Sequence, residues 1–461
     1  MPNSNDFNSL PLHPALLNNL IDLGFKQMTP IQAAALPMVL SGRDVIGKAK
    51  TGSGKTVAFG LGVLHKLDVK RFRVQALIMC PTRELADQVA QETRKLARAI
   101  HNIKILTLCG GMPFGPQVGS LEHGAHIVVG TPGRIADHLR KGNLVLDDVS
   151  TLVLDEADRM LDMGFQETLD AIVTEVPQQR QTLLFSATYP NTIAQLAARV
   201  QTNPVTVEVA ATHAQSSIEQ HFYRVDDAAR NTALRSILSY FAVESSVVFC
   251  NTKRETDEVA DSLKQAGFTA LALHGDMEQK DRDQTLVCFA NKSASILVAT
   301  DVAARGLDIA ELDMVVNYHV ARDTEVHLHR IGRTGRAGLQ GLAISLVGDK
   351  ELHKLEPLSQ LLNQTLSTEA LPSATNNQLP QKPKMVTLQI DGGKKQKLRP
   401  GDIVGALTGN GGIDGDEVGK INVLANCAYV AVNREVARRA LQKLKQDKLK
   451  GRAFRVRVVG V

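Results

Sequence analysis

The run Ala49-Lys50-Thr51-Gly52-Ser53-Gly54-Lys55-Thr56 lies between an apolar stretch, Asp44-Val45-Ile46, and a segment with a helical apolar stripe. Strand, glycine-rich turn and helix in that order are the context a phosphate loop requires, and they point to an α/β fold. Glycine lets backbone N–H groups turn inward on phosphate oxygens, and the helix N-terminus adds its dipole. Thr51, Gly52, Ser53 and Gly54 would form the cradle, Lys55 would neutralise charge, and Thr56 could reach Mg²⁺. Ala49 stands where the generic pattern has its first glycine.

The rest of the chain repeats this grammar. Short β-branched runs alternate with amphipathic segments: Val74–Met79, His126–Val129, Thr151–Leu154, then Ser246–Phe249 and Ser295–Val298. Apolar runs bounded by turns and followed by helices read as buried parallel strands. At 461 residues the chain is too long for one core. The expected division is a first α/β domain over 1–209, a second over 218–366, a flexible linker over 367–384 rich in Pro, Ser, Thr, Asn and Gln, and a small domain over 385–461. No apolar run approaches the ~18 residues of a membrane span. Met1–Pro14 shows no secretory pattern. Five scattered cysteines, none in a C-x-x-C pair, fit a reducing cytoplasm. The predicted location is therefore cytoplasmic, without a membrane partner.

Charge is unevenly placed. Of 53 basic and 48 acidic residues, the last 80 positions hold 17 and 7, leaving 36 and 41 for the body. A basic tail on a mildly acidic body predicts a module that meets a polyanion. The tail reads β-α-β-β-α-β: strands at Val386–Ile390, Lys420–Leu424, Ala428–Val432 and Phe454–Val458, with helices at Arg399–Leu407 and after the N-cap Asn433. That order is the split unit of RNA-recognition domains, here an RRM-like α+β domain.

Two further clusters carry chemistry. Leu152-Val153-Leu154 runs straight into Asp155-Glu156-Ala157-Asp158. Carboxylates at the carboxyl end of a buried strand lie in the crevice where α/β ligands bind. Asp155 is expected to hold Mg²⁺, directly or through water, and Glu156 to activate the attacking water. Arg330, Arg333 and Arg336, spaced by three, suit the bracing of phosphoryl charge.

Taken together these motifs resemble the DEAD-box RNA helicase family over roughly Phe7–Leu362. They run in order: Gly24–Gln32, the phosphate loop, Pro81–Leu85, Gly110-Gly111, Thr131–Arg134, Asp155–Asp158, Ser186-Ala187-Thr188, Val248–Asn251, Gln279–Arg282, Ala299–Asp301 with Arg305–Asp308, and His329–Arg336. The resemblance implies two tandem RecA-like parallel-sheet domains and an RNA-stimulated ATPase that uses ATP and Mg²⁺. It implies that Phe25 stacks on adenine while Gln32 pairs with its edge, which complements an amide as guanine does not. Asp308 would contact ATP, and Arg333 and Arg336 would reach the γ-phosphate. Ser186, Thr188 and His329 would couple the ATP site to RNA. RNA contacts are implied for Pro81, Thr82, Arg83, Gly110, Gly111, Gly133, Arg134 and Thr300.

The tail segments Gly401–Leu407, Gly415–Ile421 and Ala428–Val432 resemble the RNA-binding domain of DbpA-type bacterial helicases. For that subgroup the resemblance implies a 23S ribosomal RNA target, large-subunit precursor particles as partners, and action as a monomer. Ala425–Val432 keeps one aromatic of the usual RNP1 three, Tyr429. RNA contacts are therefore expected from the basic edge instead: Lys394, Lys395, Lys397, Arg399, Lys448, Lys450 and Arg452. Three alternatives stay open on sequence: an ATP-gated RNA clamp, a general RNA chaperone without a dedicated rRNA target, and a DNA-directed motor of the same architecture.

Overall fold

The structure is a computed structural model that describes residues 5–49, 52–209, 218–304, 312–335, 340–372 and 380–460. The chain divides into two compact units near residue 212.

The first unit is built on seven parallel strands: β1 (Val45–Lys48), β2 (Ala76–Met79), β3 (Ile105–Leu108), β4 (Ile127–Gly130), β5 (Thr151–Asp155), β6 (Gln181–Ser186) and β7 (Val205–Glu208). Their order across the sheet is β3-β4-β2-β5-β6-β1-β7. Strands β2, β4, β5 and β6 are buried along their whole length. This is why they read as continuous apolar runs rather than alternating ones. Alternate residues serve two cores. Ile78, Val129, Val153 and Leu183 pack in one, and Leu77, Val128, Leu152 and Leu184 in the other. Helices cover both, as a parallel sheet demands.

The second unit carries β8 (Ile218–Arg224), β9 (Ser246–Cys250), β10 (Ala270–Leu273), β11 (Ile296–Thr300), β12 (Met314–Asn317) and β13 (Gly341–Val347). They form a parallel sheet ordered β10-β11-β9-β12-β13-β8. The same unit includes an antiparallel sheet of β14 (Met385–Ile390), β15 (Val418–Val423), β16 (Ala428–Asn433) and β17 (Val456–Val458), ordered β15-β16-β14-β17. Helices Pro400–Thr408 and Ala437–Gln446 back one face, with Leu388, Ile390, Ile403, Val430, Ala440 and Leu444 forming the core between. The expected α/β class, with two RecA-like sheets and a small RRM-like α+β domain, is thus what the chain builds.

Details differ from the sequence reading. Asn433 caps a 3₁₀ turn, its side chain accepting from Glu435 N–H at 3.1 Å, and the helix proper starts at Ala437. The final strand is only three residues, and Val458 in it is exposed. The stretch read as a flexible linker is tied to the second domain at both described ends. Glu369 adds a bridge to β8, its N–H donating to Phe222 O at 2.7 Å. Lys384 forms an ion pair with Glu244. Proline and polar content signals a lack of regular structure, not a lack of contacts.

Candidate nucleotide and RNA sites

Strand order sorts the functional loops of the first unit into two groups, all at carboxyl ends of parallel strands. Strands β5, β6 and β1 are neighbours, and their ends carry Asp155, Ser186 and the phosphate loop. Strands β3, β4 and β2 are neighbours on the other side, and their ends lead to Gly110-Gly111, Thr131–Arg134 and Pro81–Arg83.

In the nucleotide group, helix Lys55–Lys66 opens at Gly54, which sits at φ +95°. A Cβ there would stand 2.4 Å from Gln32 Nε2 and 2.9 Å from Thr29 Oγ1, so the turn requires glycine on two counts. Gln32 is 2% exposed. Its Nε2 donates to Gly54 O at 3.1 Å and its Oε1 accepts from Thr29 N–H at 2.9 Å, while Thr29 Oγ1 donates to Ser53 O at 2.8 Å. The amide expected to face adenine is therefore committed to the loop itself. Pairing with a base requires those bonds to be exchanged. Thr29 was not singled out by sequence; a Thr directly before Pro30 at a helix start is an N-cap signal that could have found it. Phe25 meets Phe7 edge-on at 6.3 Å between ring centres, beside an open pocket that Leu17, Leu20 and Lys26 also line.

Lys55 is 6% exposed and donates to Ala49 O at 2.8 Å. Thr56 follows it, half-buried, and Thr51 lies outside the described residues. Asp155 is buried and accepts from Glu156 N–H at 3.0 Å. Burial pushes its carboxyl up to about 6, against the pull of Lys55 and with the push of Glu156. Such a carboxylate is relieved by a cation, and Thr56 with Asp155 is an all-oxygen donor set, the chemistry Mg²⁺ takes. The residues fit the ion. Glu156 holds a left-handed backbone, φ 51° and ψ 50°, and forms a buried 3.0 Å ion pair with Arg159. Non-glycine residues in that region store strain, typically at functional sites.

Asp158 is a residue whose role sequence reading left unassigned. Its Oδ2 accepts from both Thr188 N–H at 3.0 Å and Thr188 Oγ1 at 2.9 Å. Burial works against its charge, but the two Thr188 donors hold its carboxyl below the usual range. The last acid of the tetrad thus anchors the Ser186-Ala187-Thr188 loop.

In the second group, Thr82 is buried and caps helix Arg83–Leu96, and Arg83 pairs with Asp87 at 3.7 Å. Gly110 and Gly111 are exposed, with Gly111 at φ 72°. Arg134 Nη1 donates to Met112 O at 3.0 Å and lies over the Phe114 ring. Gln117 Nε2 donates to Cys109 O at 3.1 Å. The first bond ties the end of the double-glycine turn to Arg134, and the second ties its start to helix Phe114–Glu122.

In the second unit the three arginines part company. Arg330 is 2% exposed and internal. Its Nε and Nη2 donate to Asp301 at 2.6 and 2.8 Å, its Nη1 to Asn317 Oδ1 at 3.2 Å and His319 O at 2.9 Å. Its guanidinium also lies 5.2 Å from the centre of the Phe249 ring. It therefore braces the second sheet. Arg333 is buried at 6% exposure, His329 is half-buried, and Arg336 and Asp308 lie outside the described residues. Thr300 Oγ1 accepts from Ala303 N–H at 3.4 Å and opens the short helix Asp301–Ala304. On the small domain Lys394, Lys395, Lys397, Arg399, Lys448, Lys450 and Arg452 are all exposed. Lys450 joins their two stretches, donating to Lys397 O at 2.7 Å and pairing with Asp402 at 3.2 Å.

Among the described residues no helix is long and apolar enough to cross a membrane. Three family profiles match: DEAD/DEAH box helicase over residues 29–196, Helicase conserved C-terminal domain over 229–338, and DbpA RNA binding domain over 387–458. The chain is 54% identical to the ATP-dependent RNA helicase DbpA of Escherichia coli (strain K12), across 97% of this chain and 98% of that one. It is 35% identical to the ATP-dependent RNA helicase DeaD of Mycobacterium tuberculosis, across 96% and 92%. Among solved structures, Dbp5 of S. cerevisiae bound to RNA and ADP BeF3 superposes with a TM-score of 0.72 at 30% identity, covering 79% of this chain and 95% of that one. A buried lysine on a phosphate loop, a strand-end Asp-Glu-Ala-Asp and a serine-alanine-threonine loop anchored on that tetrad all carry the same message as these matches. The chain belongs to the DEAD-box ATP-dependent RNA helicases and carries the RNA-binding domain of the DbpA type.

Proposed function

We propose that this helicase remodels short duplexes in 23S ribosomal RNA during assembly of the large ribosomal subunit. It would act in the cytoplasm as a monomer on precursor particles, with its C-terminal domain as the targeting element. The observation that supports this reading is the tail: a DbpA-type RNA-binding domain over residues 387–458 whose two basic stretches are drawn together by Lys450.

In this scheme ATP enters with its phosphates against Gly52–Thr56 and Lys55 exchanges Ala49 O for phosphate oxygen. Mg²⁺, held by Thr56 and Asp155, would neutralise developing phosphoryl charge. Glu156 takes a proton from the attacking water, Phe25 and Gln32 take the adenine, and Asp308 contacts the nucleotide. Arg333 and Arg336 brace the γ-phosphate when RNA and ATP bring the two RecA-like domains together. Pro81, Thr82, Arg83, Gly110, Gly111, Gly133, Arg134 and Thr300 grip the RNA backbone. Asp158, by holding Thr188, links phosphate loss to that grip, with His329 contributing from the second domain.

The test is ATPase stimulation of the full-length protein by a panel of RNAs. The panel contains a 23S fragment bearing the peptidyl-transferase hairpins, a scrambled hairpin of equal length, and a matched DNA. The 23S fragment should stimulate at least tenfold more than the scrambled RNA, and reversing Lys394, Lys395, Lys397 and Arg399 to Glu should erase that difference. Equal stimulation by both RNAs sinks the targeting proposal.

A further inference from the structure

Strands β3 and β4 lie side by side and parallel, Leu108 opposite Gly130, so the turns leaving them emerge together. One turn is Gly110-Gly111 and the other Thr131–Arg134. Gly110 and Gly133 are exposed, neither has a positive φ, and a Cβ on either would meet nothing within 4 Å. The protein's own packing therefore does not call for glycine there. Bare backbone that nothing inside the molecule requires suits close approach by a ligand.

Behind the double-glycine turn runs a closed circuit of side chains. Gln117, on helix Phe114–Glu122, is 8% exposed and spends its Nε2 on Cys109 O. Its Oε1 is left to accept, and Nε2 of His138 meets it at 3.0 Å from helix Pro132–Arg140. That pairing puts the imidazole proton on Nε2. His138 is fully buried, and its ring lies flat on Phe114, centres 4.2 Å and planes 10° apart. The Arg134 guanidinium stands 5.4 Å and Lys141 Nζ 4.1 Å from the centre of the Phe114 ring. Arg134 Nη1 closes the circuit on Met112 O. The path thus starts one residue before the two glycines and ends one residue after them. A charged imidazole is disfavoured in it. Burial, then Arg134 and Lys141, outweigh Asp137 and lower the proton affinity of His138, and its Nδ1 has no hydrogen-bond partner among the described residues. An apolar pair would fill this space without the cost of burying polar groups. A hydrogen-bonded pair adds a fixed direction and distance.

We propose that Gln117 and His138 are positioning residues for RNA, their hydrogen bond setting the spacing between the two backbone grips at the ends of β3 and β4. Neither touches RNA. They act through Gly110, Gly111, Gly133 and Arg134, so the inference deepens the reading that these residues hold the RNA backbone, and rests on it. Phosphates along one strand recur at a regular interval, and grips preset to it bind without first being ordered. Loss of the bridge should weaken RNA binding and spare the chemistry once RNA is saturating.

Affinity is read in the full-length protein with ADP BeF3, by anisotropy of a labelled oligouridylate, which offers no hairpin to the C-terminal domain. His138→Phe keeps the ring stack and removes the donor, and Gln117→Leu removes the acceptor from the other helix. Each should weaken binding about tenfold or more, and the double variant no further than Gln117→Leu alone, because both break one bond. His138→Gln sets an amide nitrogen where Nε2 stood and drops the stack; its affinity should stay within about threefold of wild type. In all of them kcat at saturating RNA, ADP affinity and hydrogen exchange in β3 and β4 should hold within about twofold.

Losses that multiply in the double variant, or a His138→Gln protein as weak as His138→Phe, overturn the bridge. So does a fall in kcat with RNA affinity intact, or lost exchange protection in β3 and β4, which would leave the pair a role in folding alone. Gly110→Ala and Gly133→Ala test the reading beneath, since each methyl enters open space in the protein. Weakened binding in these two beside intact binding in His138→Phe sinks the bridge and leaves the grip standing. Unchanged binding in both glycine variants overturns the grip itself.

Discussion

Arg330→Lys separates a brace from a catalyst. The guanidinium makes four hydrogen bonds in a site 2% exposed, two of them bidentate to Asp301. Lysine keeps the charge but cannot form the fork, and its single nitrogen reaches one partner set at a time. Asn317 Oδ1 and His319 O lose a charged donor, each at about 1–2 kcal/mol, and one of two contacts to Asp301 goes with them. The sum is about 3–5 kcal/mol, inside the range for breaking a buried ion pair. The chain has no tryptophan and more than one cooperative unit, so a bulk melting curve is a poor reporter. Hydrogen exchange by mass spectrometry in β9, β11 and β12 reads the local opening directly. Protection there should fall by about 10² to 10⁴-fold while β2 and β5 of the first unit hold theirs. If exchange is unchanged and kcat alone collapses, Arg330 touches phosphate and the bracing role is wrong.

Thr188→Ala removes one of the two Thr188 donors to Asp158 Oδ2, costing about 1.5–3 kcal/mol of local order; strand separation should drop at least tenfold more than RNA-free ATP hydrolysis does, compared in parallel assays. Around His319 the sign depends on the group. Burial lowers its affinity for a proton, but hydrogen bonds to Glu255 and Glu351 prevail and raise it above 6.5, so its contribution is complete below 6.5 and lost as pH climbs through the raised value. Glu351 is opposed by burial but held at about 2 by His319 and Arg230, so its contribution is present above about 4.5 and lost as pH falls toward 2. Exchange protection of β12 against pH should therefore sag at both ends; His319→Gln should flatten the alkaline side and also shrink the acid-side loss, because Glu351 then keeps Arg230 but not the His319 contact. For the basic rim, six engaged phosphates give a slope of log affinity against log salt of roughly −4 for single-strand-like contacts; a nearly flat line from filter binding between 50 and 200 mM salt would remove the electrostatic grip.

The elements that sequence made legible are those whose chemistry is local. Buried parallel strands announce themselves because both faces need apolar residues, so β2, β5, β9 and β11 could be placed within one or two positions. The phosphate loop is legible because glycine, lysine and helix start must be adjacent. What stayed hidden depends on partners far along the chain. Arg330, Arg333 and Arg336 share a spacing, yet only contact with Asp301, 29 residues earlier, reveals that Arg330 faces inward. Tyr429 looks like a stacking platform from its strand, and its burial is decided by Cys288, some 140 positions away. The run 367–384 looks like a free tether because proline and amide side chains say nothing about Tyr223 or Glu244.

Gln32 has one amide and two possible employers. While it clasps Thr29 and Gly54, the amide proposed to read adenine is tied to the phosphate turn. An arriving adenine offers the same donor and acceptor and can draw the amide away, which frees the Gly54 carbonyl at that moment. Guanine presents two acceptors on that edge and cannot complete the swap. Checking the base and unlatching the turn would then be a single event, so a wrong nucleotide is refused by a lock that never opens.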